Sequence, residues 1–132
     1  MIVLDASAVL DVLLSLPPNA ETIRERVRRE APNLLTLHLL DAEVGQVLGR
    51  YVRHGAVSAA RAQGALEDLR DLPMRRYTHV PLLIRAFALR SNATFYDALY
   101  ISLAEASRAP LLTSDARLAG VPGHTAIVEV VA

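Results

Sequence analysis

Asp5, Glu43, Asp97 and Asp115 each stand where a short apolar, strand-like run, or the loop after it, gives way to a helical pattern. In an α/β sheet the carboxyl ends of parallel strands gather on one edge and ligands bind in the crevice there, so carboxylates far apart in the chain can meet in one pocket. Such a cluster calls for a counter-charge. Two unit charges about 4 Å apart repel by roughly 4 kcal/mol at an effective dielectric near 20. Asp5 and Asp97 also lie in apolar surroundings, Ile2-Val3-Leu4-Asp5 and Phe95-Tyr96-Asp97-Ala98-Leu99, where an unpaired charge is costly to desolvate. A bound divalent cation is the simplest partner, and an all-oxygen donor set favours Mg²⁺ or Mn²⁺ over zinc. Carboxylate-held metal can activate water and stabilise a leaving oxygen in an in-line displacement, so no protein nucleophile is required.

Each acid has a structural alternative. Asp97 follows Thr94 by three and fits the N3 place of a capping box, Asp115 fits a cap for the turn after it, and Asp5 can simply join a strand to a helix. Glu43 falls in a first helical turn, where negative charge suits the positive end of the macrodipole. Asp41 is two positions from Glu43, about 200° around a helix, so only one of them can face the pocket. Glu43 is the choice and Asp41 the helix cap, with Asp11 a solvated or supporting residue. His38, His54, His79 and His124 share no metal-ligand spacing, although His38 lies near the expected site edge. Arg50, Arg53, Arg75 and Arg76 are candidates for phosphate contacts, or simply solvated surface.

The elements that must position these acids follow from periodicity and punctuation. Apolar runs at Met1 to Leu4, Leu34 to Leu37, Leu111 to Thr113 and Ala126 to Val131 read as strands, and Met74 to Thr78, with Arg75 and Arg76 exposed, as a further short one. Between them lie helical patterns at Ser7 to Leu16, from Asn19-Ala20-Glu21 to Glu30, from the Asp41 cap to Gly55, from the Ser58 cap to Asp71, from Pro81 to Arg90, and at Thr94 to Arg108. The last of these is apolar almost all round and should be the core helix. Alternating strands and helices imply right-handed crossovers. The expected fold is α/β, a three-layer α/β/α sandwich with a mainly parallel five-stranded sheet.

A chain of 132 residues is the size of one ordinary domain, expected over 1–132. Its hydrophobic content of 52% and charged content of 21% are those of a globular protein. Without cysteine there is no disulfide framework, thiol nucleophile or cysteine-based zinc site. Its 14 basic residues are all arginine, against 14 acidic ones. The missing lysine excludes a P-loop lysine, a Schiff-base lysine and the lysine of receiver domains, while arginine's planar fork suits phosphate. The apolar N-terminus is broken at Asp5 and Asp11, unlike a signal peptide, and no segment approaches the roughly 20 apolar residues of a membrane span. A cytoplasmic protein without membrane contact is expected.

Taken in order, Ile2-Val3-Leu4-Asp5-Ala6-Ser7, Asp41-Ala42-Glu43-Val44, Tyr96-Asp97-Ala98-Leu99-Tyr100 and Leu111-Leu112-Thr113-Ser114-Asp115 resemble a PIN domain, and within that family a VapC-type toxin. The resemblance covers nearly the whole chain and is most specific over Tyr96 to Glu105 and Thr113 to Leu118. One departure is Leu37-His38, where relatives often carry proline. The resemblance implies a Mg²⁺- or Mn²⁺-dependent endoribonuclease with Asp5 and Asp97 as the firmest metal ligands, Glu43 and Asp115 completing the site, and Ser7 and Thr113 in supporting polar positions. It also implies an RNA substrate, a small VapB-type antitoxin and a homodimer. Val9, Leu10, Val12, Leu13 and Leu14, with the arginine-rich helix that follows, are a candidate antitoxin groove or else core. Competing readings are a catalytically silent PIN scaffold, a housekeeping nuclease, and a receiver- or phosphatase-like domain. The missing lysine opposes a receiver, and Asp5-Ala6-Ser7 in place of Asp-x-Asp opposes a phosphatase.

Overall fold

Three apolar residues, Ile2–Leu4, form the strand around which the sheet is arranged (β1), and all three are buried, as a central strand covered on both faces requires. The computed structural model describes residues 1–131. In it β1 is joined by β2 (Leu34–Leu37), β3 (Met74–Tyr77), β4 (Leu111–Thr113) and β5 (Val128–Val130) in the order β3-β2-β1-β4-β5. Every neighbouring pair is parallel, with Val3 facing Leu35 on one side and Leu111 on the other. The expected sheet is present, and it is entirely rather than mainly parallel.

Six helices cover it: α1 (Ala6–Leu13), α2 (Ala20–Glu30), α3 (Leu39–Arg53), α4 (Ala59–Asp71), α5 (Leu83–Ala88) and α6 (Phe95–Ser107). Helices α1 to α4 pack on one another, whereas α5 packs on α6, which lies across β1, β2 and β4. Right-handed crossovers explain the split: the chain builds outward through β2 and β3, then returns past β1, so its return helices fall on the opposite face. From Ala98 to Ala104 every residue of α6 is buried, which confirms it as the core helix.

Some boundaries differ from the sequence reading. Asp41 does not cap α3, which starts two residues earlier; Leu40 is fully buried and draws the helix start back, leaving Asp41 in the first turn, where Arg76 grips it. The segment expected to run as one helix from Pro81 begins as a 3-10 turn, Val80–Leu82, and becomes α-helical only from Leu83. α1 stops at Leu13, before the Pro17-Pro18 pair, because Ser15 adopts φ 51° and turns the chain. Among the described residues no helix is long and apolar enough to cross a membrane.

Candidate functional site

The strand order reverses at β1, since the chain moves from β1 to β2 and β3 on one side and to β4 and β5 on the other. That reversal opens a crevice beyond the carboxyl ends of β1 and β4. Asp5 is the residue that leaves β1 there. Its extended backbone makes it the N-cap of α1, and Oδ1 accepts from the Ala8 amide at 3.0 Å. Oδ1 also accepts from the Ser7 hydroxyl at 2.7 Å, and Oδ2 accepts from the Thr113 hydroxyl at 2.6 Å, across the β1/β4 junction. Thr113 in turn accepts from the Asp115 amide at 3.0 Å, and Ser7 accepts from the Ser114 amide at 3.1 Å. The cradle is therefore built from both ends of the chain, and every bond in it fixes the Asp5 carboxylate.

Asp5 is only 6% exposed, and burial pushes its carboxyl above the usual carboxylate range, against the pull of the Thr113, Ala8 and Ser7 donors. Glu43, in the first turns of α3, accepts from the Tyr100 hydroxyl at 2.6 Å. Burial again raises its carboxyl, the Tyr100 bond opposes, and the charges of Asp5 and Asp97 raise it further. Tyr100 itself is pushed up by burial and by Glu43, so the phenol stays protonated and donates. Asp97 sits in the first turn of α6, whose N-cap Thr94 accepts from the Asp97 amide at 3.2 Å. Its carboxyl is raised by burial first and by Asp115, against Thr94 and Arg117. Asp5, Glu43 and Asp97 thus lie near enough for the charge of Asp97 to raise the carboxyls of Asp5 and Glu43, and none of the three forms an ion pair with arginine or histidine among the described residues.

Asp115 differs. It caps the 3-10 turn Ala116–Gly120 by accepting from the Arg117 amide at 3.0 Å, and the Arg117 guanidinium reaches Oδ2 at 2.6 Å. Hydrogen bonding to Arg117 holds its carboxyl below the ordinary value. The capping role expected for Asp115 is thus real, and its charge is matched within the chain. As the side chains stand, no three Asp, Glu, His or Cys groups among the described residues are arranged to hold one ion. Donor chemistry nevertheless fits a hard divalent cation: three neighbouring carboxyls supply only oxygen, all are shifted toward protonation by burial, and Asp5 is held by hydroxyls.

Other candidates fall outside. Arg76 is not a free surface arginine: it binds both Asp41 oxygens, at 2.7 and 3.0 Å, and the Leu69 carbonyl at 3.0 Å, fastening β3 to α3 and α4. Arg75 stacks over Tyr77, and Arg50 over Tyr51. Val9, Leu10 and Leu14 are buried, so most of the proposed antitoxin face of α1 is core. Three contributors escaped the sequence reading. Tyr100 follows Asp97 by three on one helix, a spacing that places both on one face and was readable. Arg117, two residues after Asp115, was a visible counter-charge. Thr36, fully buried in β2, donates to the Leu4 carbonyl at 2.8 Å and steadies the end of β1 next to Asp5; only its strand-interior hydroxyl hinted at it.

Comparison with known proteins places this geometry. The chain is 44% identical over 130 residues to Ribonuclease VapC1 of Mycobacterium tuberculosis, covering 98% of this chain and 96% of that one. It is 38% identical over 135 residues to Ribonuclease VapC12 of the same organism, covering both in full. In fold it is similar to a chain of the crystal structure of VapBC2 from Rickettsia felis bound to a DNA fragment from their promoter, with TM-score 0.75, 15% identity and full coverage of both. Residues 2–123 match the PIN domain family, a span that holds Asp5, Glu43, Asp97 and Asp115 and every element from β1 to the 3-10 turn after β4, and so this chain belongs to the PIN domain family.

Proposed function

We propose that this chain is an endoribonuclease, the toxin component of a VapBC-type toxin–antitoxin module, that hydrolyses RNA phosphodiester bonds with water in a Mg²⁺- or Mn²⁺-dependent reaction. The observation that carries the reading is the Asp5 carboxylate, buried, gripped by two hydroxyls and an amide, near Glu43 and Asp97, with no cation paired to any of the three among the described residues. Asp5 and Asp97 would be the direct metal ligands, with Glu43 and Asp115 completing the set. The ion, when bound, would supply an acidified water and charge stabilisation for the leaving oxygen. Ser7 and Thr113 hold the Asp5 carboxylate in one orientation, and Tyr100 does the same for Glu43. Asp115 can join only by releasing Arg117, which frees a guanidinium beside the site for an RNA phosphate.

The likeness to a chain of the VapBC2 structure supports a small VapB-type antitoxin as partner, and a cytoplasmic setting is part of the same proposal. Val80, Ile84 and Phe87, exposed at helical spacing along α5 and the turn before it, support pairing of two copies. One observation favours the silent-scaffold alternative, the Asp115–Arg117 pairing that leaves the acids short of a closed site. A single experiment separates the two. Purified chain is expected to cleave RNA with Mg²⁺ or Mn²⁺ and not in excess EDTA, and Asp5→Asn and Asp97→Asn to lose at least about 100-fold in rate, a loss of order 2.7 kcal/mol. Activity that persists in EDTA, or in both variants, would overturn the metal-nuclease reading; inactivity of the wild-type chain would support the scaffold.

A further inference from the structure

Tyr96 directly precedes Asp97 and the buried run of α6, yet its ring is 57% exposed. It forms one wall of an open cleft of about 480 Å³ whose other walls are Leu39, Ala42, Glu43, Gln46 and Val47, from the first turns of α3. That volume lies within the roughly 300–1,000 Å³ range of small-ligand clefts. Glu43 belongs both to this cleft and to the acid cluster, so the cleft opens directly onto the proposed reaction site. Gln46 follows Glu43 by three and shares its helical face, presenting an amide with both donor and acceptor.

The lining decides what fits. No basic side chain lines the cleft and an acid does, which disfavours a phosphate; an exposed aromatic ring opposite aliphatic Leu39 and Val47 favours a neutral planar group. On the far side of Asp97 a second cleft, lined by Asn92, Thr94, Asp97 and Arg117, adds a guanidinium that pairs with Asp115 and suits the sugar–phosphate chain once released. An RNA with a phosphodiester at the acids must lay a neighbouring nucleotide along the Glu43 wall. A protein partner would find a better surface on the purely apolar stripe of Val80, Ile84 and Phe87.

We propose that the Tyr96 cleft is a nucleobase subsite, in which the Tyr96 ring stacks on the base flanking the cleaved bond and Gln46 reads that base's edge. This rests on the ribonuclease reading. Stacking of a base on an aromatic ring is sequence-tolerant, so Tyr96 supplies affinity, and the Gln46 amide supplies preference at one position.

The test uses the full chain with Mn²⁺ and a pool of short RNAs randomised at every position, reading KM, kcat and the bases flanking each cut. Tyr96→Leu, which keeps apolar bulk without the ring, is expected to raise KM about 5- to 100-fold with kcat changed far less, and Tyr96→Phe to recover most of that loss. Gln46→Leu is expected to flatten or change the base preference at a single position beside the cut. A second measurement is independent of turnover: 2-aminopurine placed at that position in RNA bound to the Asp97→Asn variant should be quenched, and the quenching should be lost when Tyr96→Leu is added. If wild-type chain cleaves RNA but Tyr96→Leu and Gln46→Leu leave KM and cut-site bases unchanged, the subsite is overturned and the nuclease reading stands. If these variants instead weaken only binding of the antitoxin peptide, the cleft is a protein-docking face and the proposal falls. If wild-type chain cleaves no RNA and the 2-aminopurine signal is flat, both readings fail together.

Discussion

Three carboxyls held above their ordinary range carry a consequence for the metal-free protein. Asp5, Glu43 and Asp97 bind protons more readily folded than unfolded, so between the unfolded and folded values the native state holds more protons and unfolding free energy falls as pH rises. The increment is fully present below the unfolded values, near pH 4, and is lost as pH rises through the folded ones. Glu43→Gln and Asp97→Asn are therefore expected to raise the melting temperature in EDTA at neutral pH, by roughly 3 °C or more, while abolishing RNA cleavage. Thermal melts at about pH 5 and about pH 7.5 check the sign, since the gain should shrink at the lower pH as the native carboxyls protonate. Tyr100→Phe probes the same cluster from the other side. Tyr100 is 2% exposed and the substitution keeps its ring, so the fold should persist at a cost near 1 kcal/mol. Loss of the hydroxyl that steadies Glu43 should lower cleavage about 10-fold, measured as single-turnover rate against saturating Mn²⁺.

At the scale of elements, α6 shows what a sequence can and cannot announce. Its all-round apolar pattern identified the core helix, and Thr94 marked its start, because burial and capping act within one or two turns. Its far end at Arg108 was read as well, but not the conformation there. Arg108 closes the helix in the left-handed region, φ 51°, where glycine is the usual residue and nothing in the local sequence signals the turn. Arg108→Gly relieves a side chain from that conformation and is expected to add about 0.5–1 kcal/mol, seen as a higher denaturant midpoint at unchanged slope. The misplaced start of α3 has a similar cause. Asp41 looked like a cap because caps are read locally, whereas the residue that claims it, Arg76, arrives from β3 across the sheet. The three short strands Ile2–Leu4, Leu34–Leu37 and Leu111–Thr113 were legible because parallel burial demands continuous apolar runs. Ser7 and Thr113 stood as supporting positions, but the bonds of Thr113 and Thr36 were not legible, since they join the end of β1 to residues that only the folded sheet brings near.

For the whole molecule, the exposed Val80, Ile84 and Phe87 predict association. The chain is expected to sediment as a dimer at micromolar concentration, and Ile84→Ser with Phe87→Ser to shift it to monomer without lowering the stability of the fold by more than about 1 kcal/mol, because both side chains are exposed. Wild-type chain that remains monomeric throughout would remove the stripe as an interface. The sheet order carries a further consequence, for how such an enzyme is made. β1 is the first strand to leave the ribosome, but its partner β4 is among the last, and the hydroxyl that grips Asp5 belongs to residue 113. Synthesis passes Asp5, Glu43 and even Asp97 before it reaches the strand that grips Asp5. A ribonuclease built this way is expected to complete its site only at the end of synthesis, so that it stays harmless to the RNA machinery producing it until release.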